Sequence, residues 1–152
     1  MENHDPEVRA RVLAALADDP RLPSPDEIAV DVYDGTVTLR GTVGSFRQKR
    51  AALADARRAV GVRNAYDELD VRLLDEDRRK DAEIRGHALQ RLIWDSRLPG
   101  NYIDVHVHDG WVTLKGDLDA QYQSDAAFND VASLHGVTGV TNKITVTEAR
   151  LP

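Results

Sequence analysis

Apolar residues near the start of the chain fall at helical spacing. Val8, Val12, Leu13 and Leu16 share one face, with Asp5 placed to cap and Pro6 suited to a first helical position. Pro20, Pro23 and Pro25 then stop the helix. The period next changes to two. Val30 and Val32 alternate with Asp31 and Tyr33, and Val37 and Leu39 alternate with Thr36 and Thr38. Asp34-Gly35 between the two runs suits the two-residue hairpin turn that needs positive φ. Gly41, where the second run ends, suggests a bulge or a close backbone approach. Ser45-Phe46-Arg47-Gln48 has capping-box spacing for a second helix, which Gly61 ends. A last strand carries Leu69, Val71 and Leu73 on one face.

The same pattern then recurs. Asp34–Gly41 (Asp-Gly-Thr-Val-Thr-Leu-Arg-Gly) returns as Asp109–Gly116 (Asp-Gly-Trp-Val-Thr-Leu-Lys-Gly), at an offset of 75. The alignment runs without a gap from Ile28–Arg72 to Ile103–Thr147, with sixteen of forty-five pairs identical. Upstream the offset is 76, matching Arg21-Leu22-Pro23 to Arg97-Leu98-Pro99. One residue has therefore been gained or lost in a loop, where such changes are tolerated. The second copy's first helix places Ile84, Ala88, Leu89, Leu92 and Ile93 on its apolar face, with Pro99-Gly100 as the stop. Its last strand carries Val140, Ile144 and Val146. The order is helix-strand-strand-helix-strand, twice. The expected fold is α+β: two tandem αββαβ modules, each a three-stranded sheet with two helices on one face and a polar opposite face. The first module spans 1–74 and the second 82–152, joined by the charged linker 75–81.

Composition narrows the options. The chain has 152 residues, 30% of them charged and 41% hydrophobic, a globular balance. It has no cysteine, which excludes disulfides, thiolate metal sites and cysteine nucleophiles. No segment approaches the ~20 apolar residues of a membrane span. The N-terminal residues do not read as a secretory signal, so the expected location is cytoplasmic as the chain stands, or periplasmic if it is a processed form. The net charge of −6 speaks against nucleic acid. It divides evenly, −3 for residues 1–75 (11 basic, 14 acidic) and −3 for 76–152 (9 basic, 12 acidic).

These motifs resemble the BON (bacterial OsmY and nodulation) domain family. The first copy carries Gly35, Val37, Leu39, Gly41, Ala52, Ala56, Gly61-Val62, Leu69 and Val71. The second carries Gly110, Val112, Leu114, Gly116, Ala127, Gly136-Val137, Asn142, Ile144 and Val146. The first copy has Asp67 where the family's Asn would stand. The resemblance implies a non-enzymatic module that binds phospholipid membranes or other ligands, found in stress-response, pore and transport proteins. It carries no catalytic residue and no cofactor.

The residues themselves add one asymmetry. The second helix of the first copy holds Arg47, Lys49, Arg50, Arg57 and Arg58, and Arg47, Arg50, Arg57 and Arg58 fall within an arc of about 100°. The equivalent helix of the second copy has no Lys or Arg and carries Asp119, Asp125 and Asp130. The basic stripe suits lipid headgroups or an acidic partner. It is also what a solvated helix face looks like. The basic helix of one copy and the acidic helix of the other are complementary, and such a contact between chains would be heterologous and build homo-oligomers.

In the second hairpin, Asp104, His106 and His108 share a strand face opposite Trp111, Thr113 and Lys115. Two His beside an Asp have the donor set of a divalent-metal site. Lys115 opposes a cation, however, and no supporting group stands behind the imidazoles, so the face reads as polar sheet and no metal is assigned. Trp111, with His106 and His108, is a candidate interface. Gly136-Val137-Thr138-Gly139 has the Gly-x-x-Gly spacing of KH domains but precedes a strand, so it reads as a helix stop. His87 and His135 read as structural or solvated. No phosphate loop, nucleophile elbow or HExxH is present, so no enzyme is expected. The leading expectation is a binding module. A homo-oligomeric scaffold comes next, and a metal or small-ligand sensor after that.

Overall fold

A computed structural model describes residues 5–99 and 103–147. The chain divides into two compact units, Met1–Arg72 and Leu73–Pro152. In the first unit, helix α1 (Pro6–Asp18) starts at Asp5, whose carboxylate accepts from the Val8 N–H at 3.1 Å. Strands β1 (Ile28–Tyr33) and β2 (Thr36–Val43) form an antiparallel hairpin. Asp34 and Gly35 take φ 48° and 78°, the doubly positive turn that matches strand twist. Helix α2 (Phe46–Arg58) then carries the chain over the sheet, and β3 (Asn64–Val71) adds in parallel to β2. A parallel neighbour needs such a crossover.

The second unit repeats this with α3 (Asp81–Trp94), β4 (Ile103–His108), β5 (Trp111–Leu118), α4 (Gln121–Ala132) and β6 (Gly139–Val146). The sheet orders are β1-β2-β3 and β4-β5-β6. The hairpin turn at Asp109-Gly110 has φ 49° and 79°. Each module is thus αββαβ, as the repeat predicts. The charged stretch before α3 holds one short helical turn, Asp75–Asp77, and its last residue, Asp81, opens α3 itself.

The cores are small and apolar. Val12, Leu16, Val37, Leu39, Ala52 and Ala56 fill the first, and Ile84, Ala88, Val112, Leu114, Ala127 and Val131 the second, each fully shielded. Gly41 sits at φ 131° against the preceding turn, where a Cβ would collide with the Glu27 carbonyl oxygen. The glycine therefore lets β2 cross close under that turn. Each module also blunts its first edge strand. Arg9 Nε donates to the Val30 carbonyl, and Arg85 Nε donates to that of Val105, both at 2.9 Å. An edge carbonyl already accepting is a poorer template for another chain.

Two expectations need correction. Ile93 does not join the apolar face of α3. It is 61% exposed, beside Trp94 at 72%. Both lie in the last turn of α3, and the stripe that packs down is Ile84, Ala88 and Leu92. Leu73 lies beyond β3, which ends at Val71.

Candidate functional site

The five basic residues of α2 separate into two sets. Lys49 leaves the surface: its ammonium lies 3.2 Å from the Asp67 carboxylate and donates to the Leu69 carbonyl at 3.1 Å. That pair tethers α2 to β3. In the second module the equivalent positions are Ser124 and Asn142, and the Asn142 amide donates to Ser124 Oγ at 2.9 Å. A charged pair has been exchanged whole for a neutral one. Asp67 and Asn142 also each accept from an N–H two residues along their own strand, that of Leu69 and Ile144 respectively. The Asp67 departure from the family pattern is therefore explained by Lys49. Arg58 is exposed but tied to Asp55 at 2.6 Å. Arg47, Arg50 and Arg57 remain as an exposed face, and among the described residues Arg47 and Arg57 have no hydrogen-bond or ion-pair partner. Partial burial lowers the Arg50 guanidinium from its ordinary value. On α4 the corresponding positions are Tyr122, Asp125 and Ala132. Tyr122 and Asp125 are exposed, and Ala132 is buried.

Helix α2 is pinned at its start by a box the sequence predicts. Ser45 Oγ accepts from the Gln48 N–H at 3.1 Å, and Gln48 Oε1 accepts from the Gly44 N–H at 2.8 Å. The second module keeps only the glutamine half, with Gln123 Oε1 accepting from the Asp119 N–H.

On the open sheet face of the second module, Trp111 lies flat across β6. Its indole Nε1 donates to Thr141 Oγ1 at 2.8 Å, and a Cβ on the facing residue, Gly139, would run into the ring. An aromatic ring covering a strand glycine restores the packing that the glycine lacks. The first module has Thr36 facing Asn64 at this rung. The interface candidate Trp111 is thus partly engaged within its own sheet, and 47% of it remains exposed. His106 and His108 project from the same face, beside Thr113 and Trp111. His108 is not brought together with His106 and Asp104 as a ligand set. Its ring faces Asp109 at 3.4 Å, and Asp81, His108 and Asp109 form the cluster with metal-ligand spacing among the described residues. The two Asp81 oxygens each accept a backbone N–H of the hairpin turn, from Asp109 and Gly110, at 3.0 Å. The cluster therefore reads as a clip between α3 and the turn.

One constellation joins residues far apart in the chain. Asp19 holds Arg21 in a two-pronged pair, at 2.9 Å (Nε to Oδ1) and 2.7 Å (Nη2 to Oδ2). The buried Asp55 of α2 completes the group, with Arg21 Nη2 3.6 Å from its Oδ1. The second module repeats it with Asp95, Arg97 and Asp130, at 2.9, 2.7 and 3.8 Å. In both, the arginine holds the first aspartate well below its ordinary range, while desolvation and the neighbouring carboxylate push the second up. Asp130 reaches about 7. The signal lay in the repeat, since Asp19-x-Arg21, Asp55 and their counterparts are identical between the copies.

Two αββαβ units in tandem define the architecture of the chain. Both units match the BON domain family, over residues 4–72 and 80–148, and the chain belongs to that family. It is similar to the osmotically-inducible protein Y of Escherichia coli (strain K12), with 33% identity over 149 residues, covering 92% of this chain and 71% of that protein. Solved structures of CdsD, described as a structural protein of the type III secretion system of Chlamydia trachomatis, align at TM-score 0.40 and 0.39 with 14% identity. They cover 94% of this chain and 63% and 67% of those chains. No helix among the described residues is long and apolar enough to cross a membrane.

Proposed function

We propose that this chain is a non-catalytic binding protein that docks on anionic phospholipid surfaces through α2. The observation that carries this reading is the Arg47, Arg50 and Arg57 face. Two of these guanidiniums have no partner among the described residues, and nothing equivalent exists on α4. Three cations at an anionic bilayer contribute about 1 kcal/mol each. Together they raise partitioning about 100-fold over a neutral surface at low salt, and screening erodes the effect. Flotation of the full chain with vesicles of anionic or neutral phospholipid tests it. Retention needs the anionic lipid and disappears with Arg47→Glu, Arg50→Glu and Arg57→Glu combined. Equal retention on neutral vesicles overturns the reading.

A second reading, self-assembly through contacts between modules of different chains, is favoured by Ile93, Trp94 and Tyr122, three large apolar side chains exposed on the second module. Light scattering over a concentration series separates the two. A mass that rises with concentration and is restored to monomer by Trp94→Ser supports assembly.

A further inference from the structure

The repeated Asp-Arg-Asp groups differ in one respect that has a chemical consequence. In the first module two carboxylates face two guanidiniums, because Arg58 joins Arg21 at Asp55. In the second module Ser133 stands at the position of Arg58, and its hydroxyl donates to the Asp130 carbonyl instead. Two carboxylates then share the single guanidinium of Arg97. The other groups around Asp130 do not restore the balance. Arg91, near the end of α3, is a further cation that acts on it, more weakly than Arg97. The inner positions of β5 and β6 are Val112, Leu114, Val140, Asn142 and Ile144, none of them ionisable. Among the described residues Oδ2 of Asp130, like Oδ2 of Asp55 in the first module, is buried with no donor to accept from, and its carboxyl meets that of Asp95 across the one Arg97 nitrogen, at 3.8 and 2.7 Å. An ionised oxygen in that position costs its full desolvation, whereas the O–H of a carboxylic acid satisfies itself by donating to the neighbouring carboxylate.

We propose that the junction of α3 and α4 is a proton-operated clasp, in which Asp130 and Asp95 share one proton and its loss loosens the end of α3. The proton leaves Asp130 for water and no other bond changes. The clasp holds the segment that follows the exposed Ile93 and Trp94, so its state is communicated to the apolar end of α3. Like carboxylates in contact do not both ionise at ordinary pH, and the titration of the pair falls near neutrality, where Asp130 stands at about 7. The first module, with its second arginine, is the built-in control.

The test is a carboxyl-carbon NMR titration of the full chain labelled at aspartate. Trp94 fluorescence is followed in parallel in a Trp111→Phe background. The expected result is an Asp130 midpoint two to three units above an ordinary aspartate, with Trp94 emission changing at the same pH. Ser133→Arg is expected to lower that midpoint by a unit or more, and Asp130→Asn to abolish the Trp94 transition. An Asp130 midpoint near 4 in the unsubstituted chain overturns the proposal, whatever the variants do. So does a Trp94 transition that survives Asp130→Asn.

Discussion

The two modules share one fold and differ at positions of two kinds. Some differences come in matched pairs. Thr36 and Asn64 become Trp111 and Gly139 on one rung of the sheet, and Lys49 and Asp67 become Ser124 and Asn142 between helix and strand. In each pair, one change makes room for or satisfies the other, so packing and hydrogen bonding survive. Other differences have no counterpart. Arg47 and Arg57 give way to Tyr122 and Ala132, and neither arginine has a partner among the described residues that changes with it; on the same face Arg50 becomes Asp125. Matched exchanges preserve structure. Unmatched ones on an exposed face alter what the surface can bind, which is why the basic stripe carries the functional reading. Arg58 to Ser133 falls between these kinds: an unmatched change inside a buried cluster, leaving a proton in place of a guanidinium.

The comparison can be broken most sharply at Gly139. Placing the first module's asparagine there drives a side chain into the Trp111 ring and costs about 2–3 kcal/mol. Adding Trp111→Thr recovers most of the loss. Equilibrium denaturation of the single and double variants reads both values, and additive losses would show the rung is not a unit.

The next largest effect is pH dependence. The Asp130 carboxyl is raised on folding, so the folded state holds a proton that the unfolded chain has lost above its ordinary range. That stabilisation is fully present below about pH 4 and is lost as pH rises through about 7. Asp95 is lowered, and its contribution disappears as pH falls below its ordinary range. Stability of the second module should therefore decline by about 2 kcal/mol between pH 5 and 8. The first module should change less. Denaturation midpoints across that range provide the check, with tryptophan fluorescence following the second module, which holds both Trp94 and Trp111, and backbone NMR signals following the first.

A smaller effect is expected at the α2–β3 tether. Asp67→Asn removes the carboxylate from Lys49, which is only partly exposed, and costs about 1 kcal/mol. Lys49→Ser in the same chain recreates the second module's neutral pair and recovers part of it. Thermal denaturation of the single and double variants measures the coupling.

Local signals made much of this legible in the sequence. The Asp-Gly turns, the Asp5 and Ser45 caps and the period change from helix to strand depend on neighbours a few residues away, and all of them form as the pattern implies. Longer-range consequences were hidden. Ile93 is apolar in kind but stands about 180° round the helix from Ile84 and about 100° from Leu92, outside the stripe that packs down. The clusters of Asp55 and Asp130 give no local signal because the Asp-x-Arg pairs they join stand some 35 residues upstream. Lys49 falls outside the arc of the four arginines, and only its position opposite Asp67 shows what it does there. The repeat held the missing information in each case, since aligned positions that change together, or do not change at all, mark contacts that single-copy periodicity cannot.

The central claim, that the exposed arginines of α2 are the binding face, is tested most directly by exchanging them for the second module's residues. In vesicle flotation at low and high salt, the full chain carrying Arg47→Tyr, Arg50→Asp and Arg57→Ala should lose its retention on anionic phospholipid, about 100-fold at low salt. The unsubstituted chain should lose most of its own retention only when salt is raised. Undiminished, salt-insensitive flotation of the exchanged chain would contradict the account.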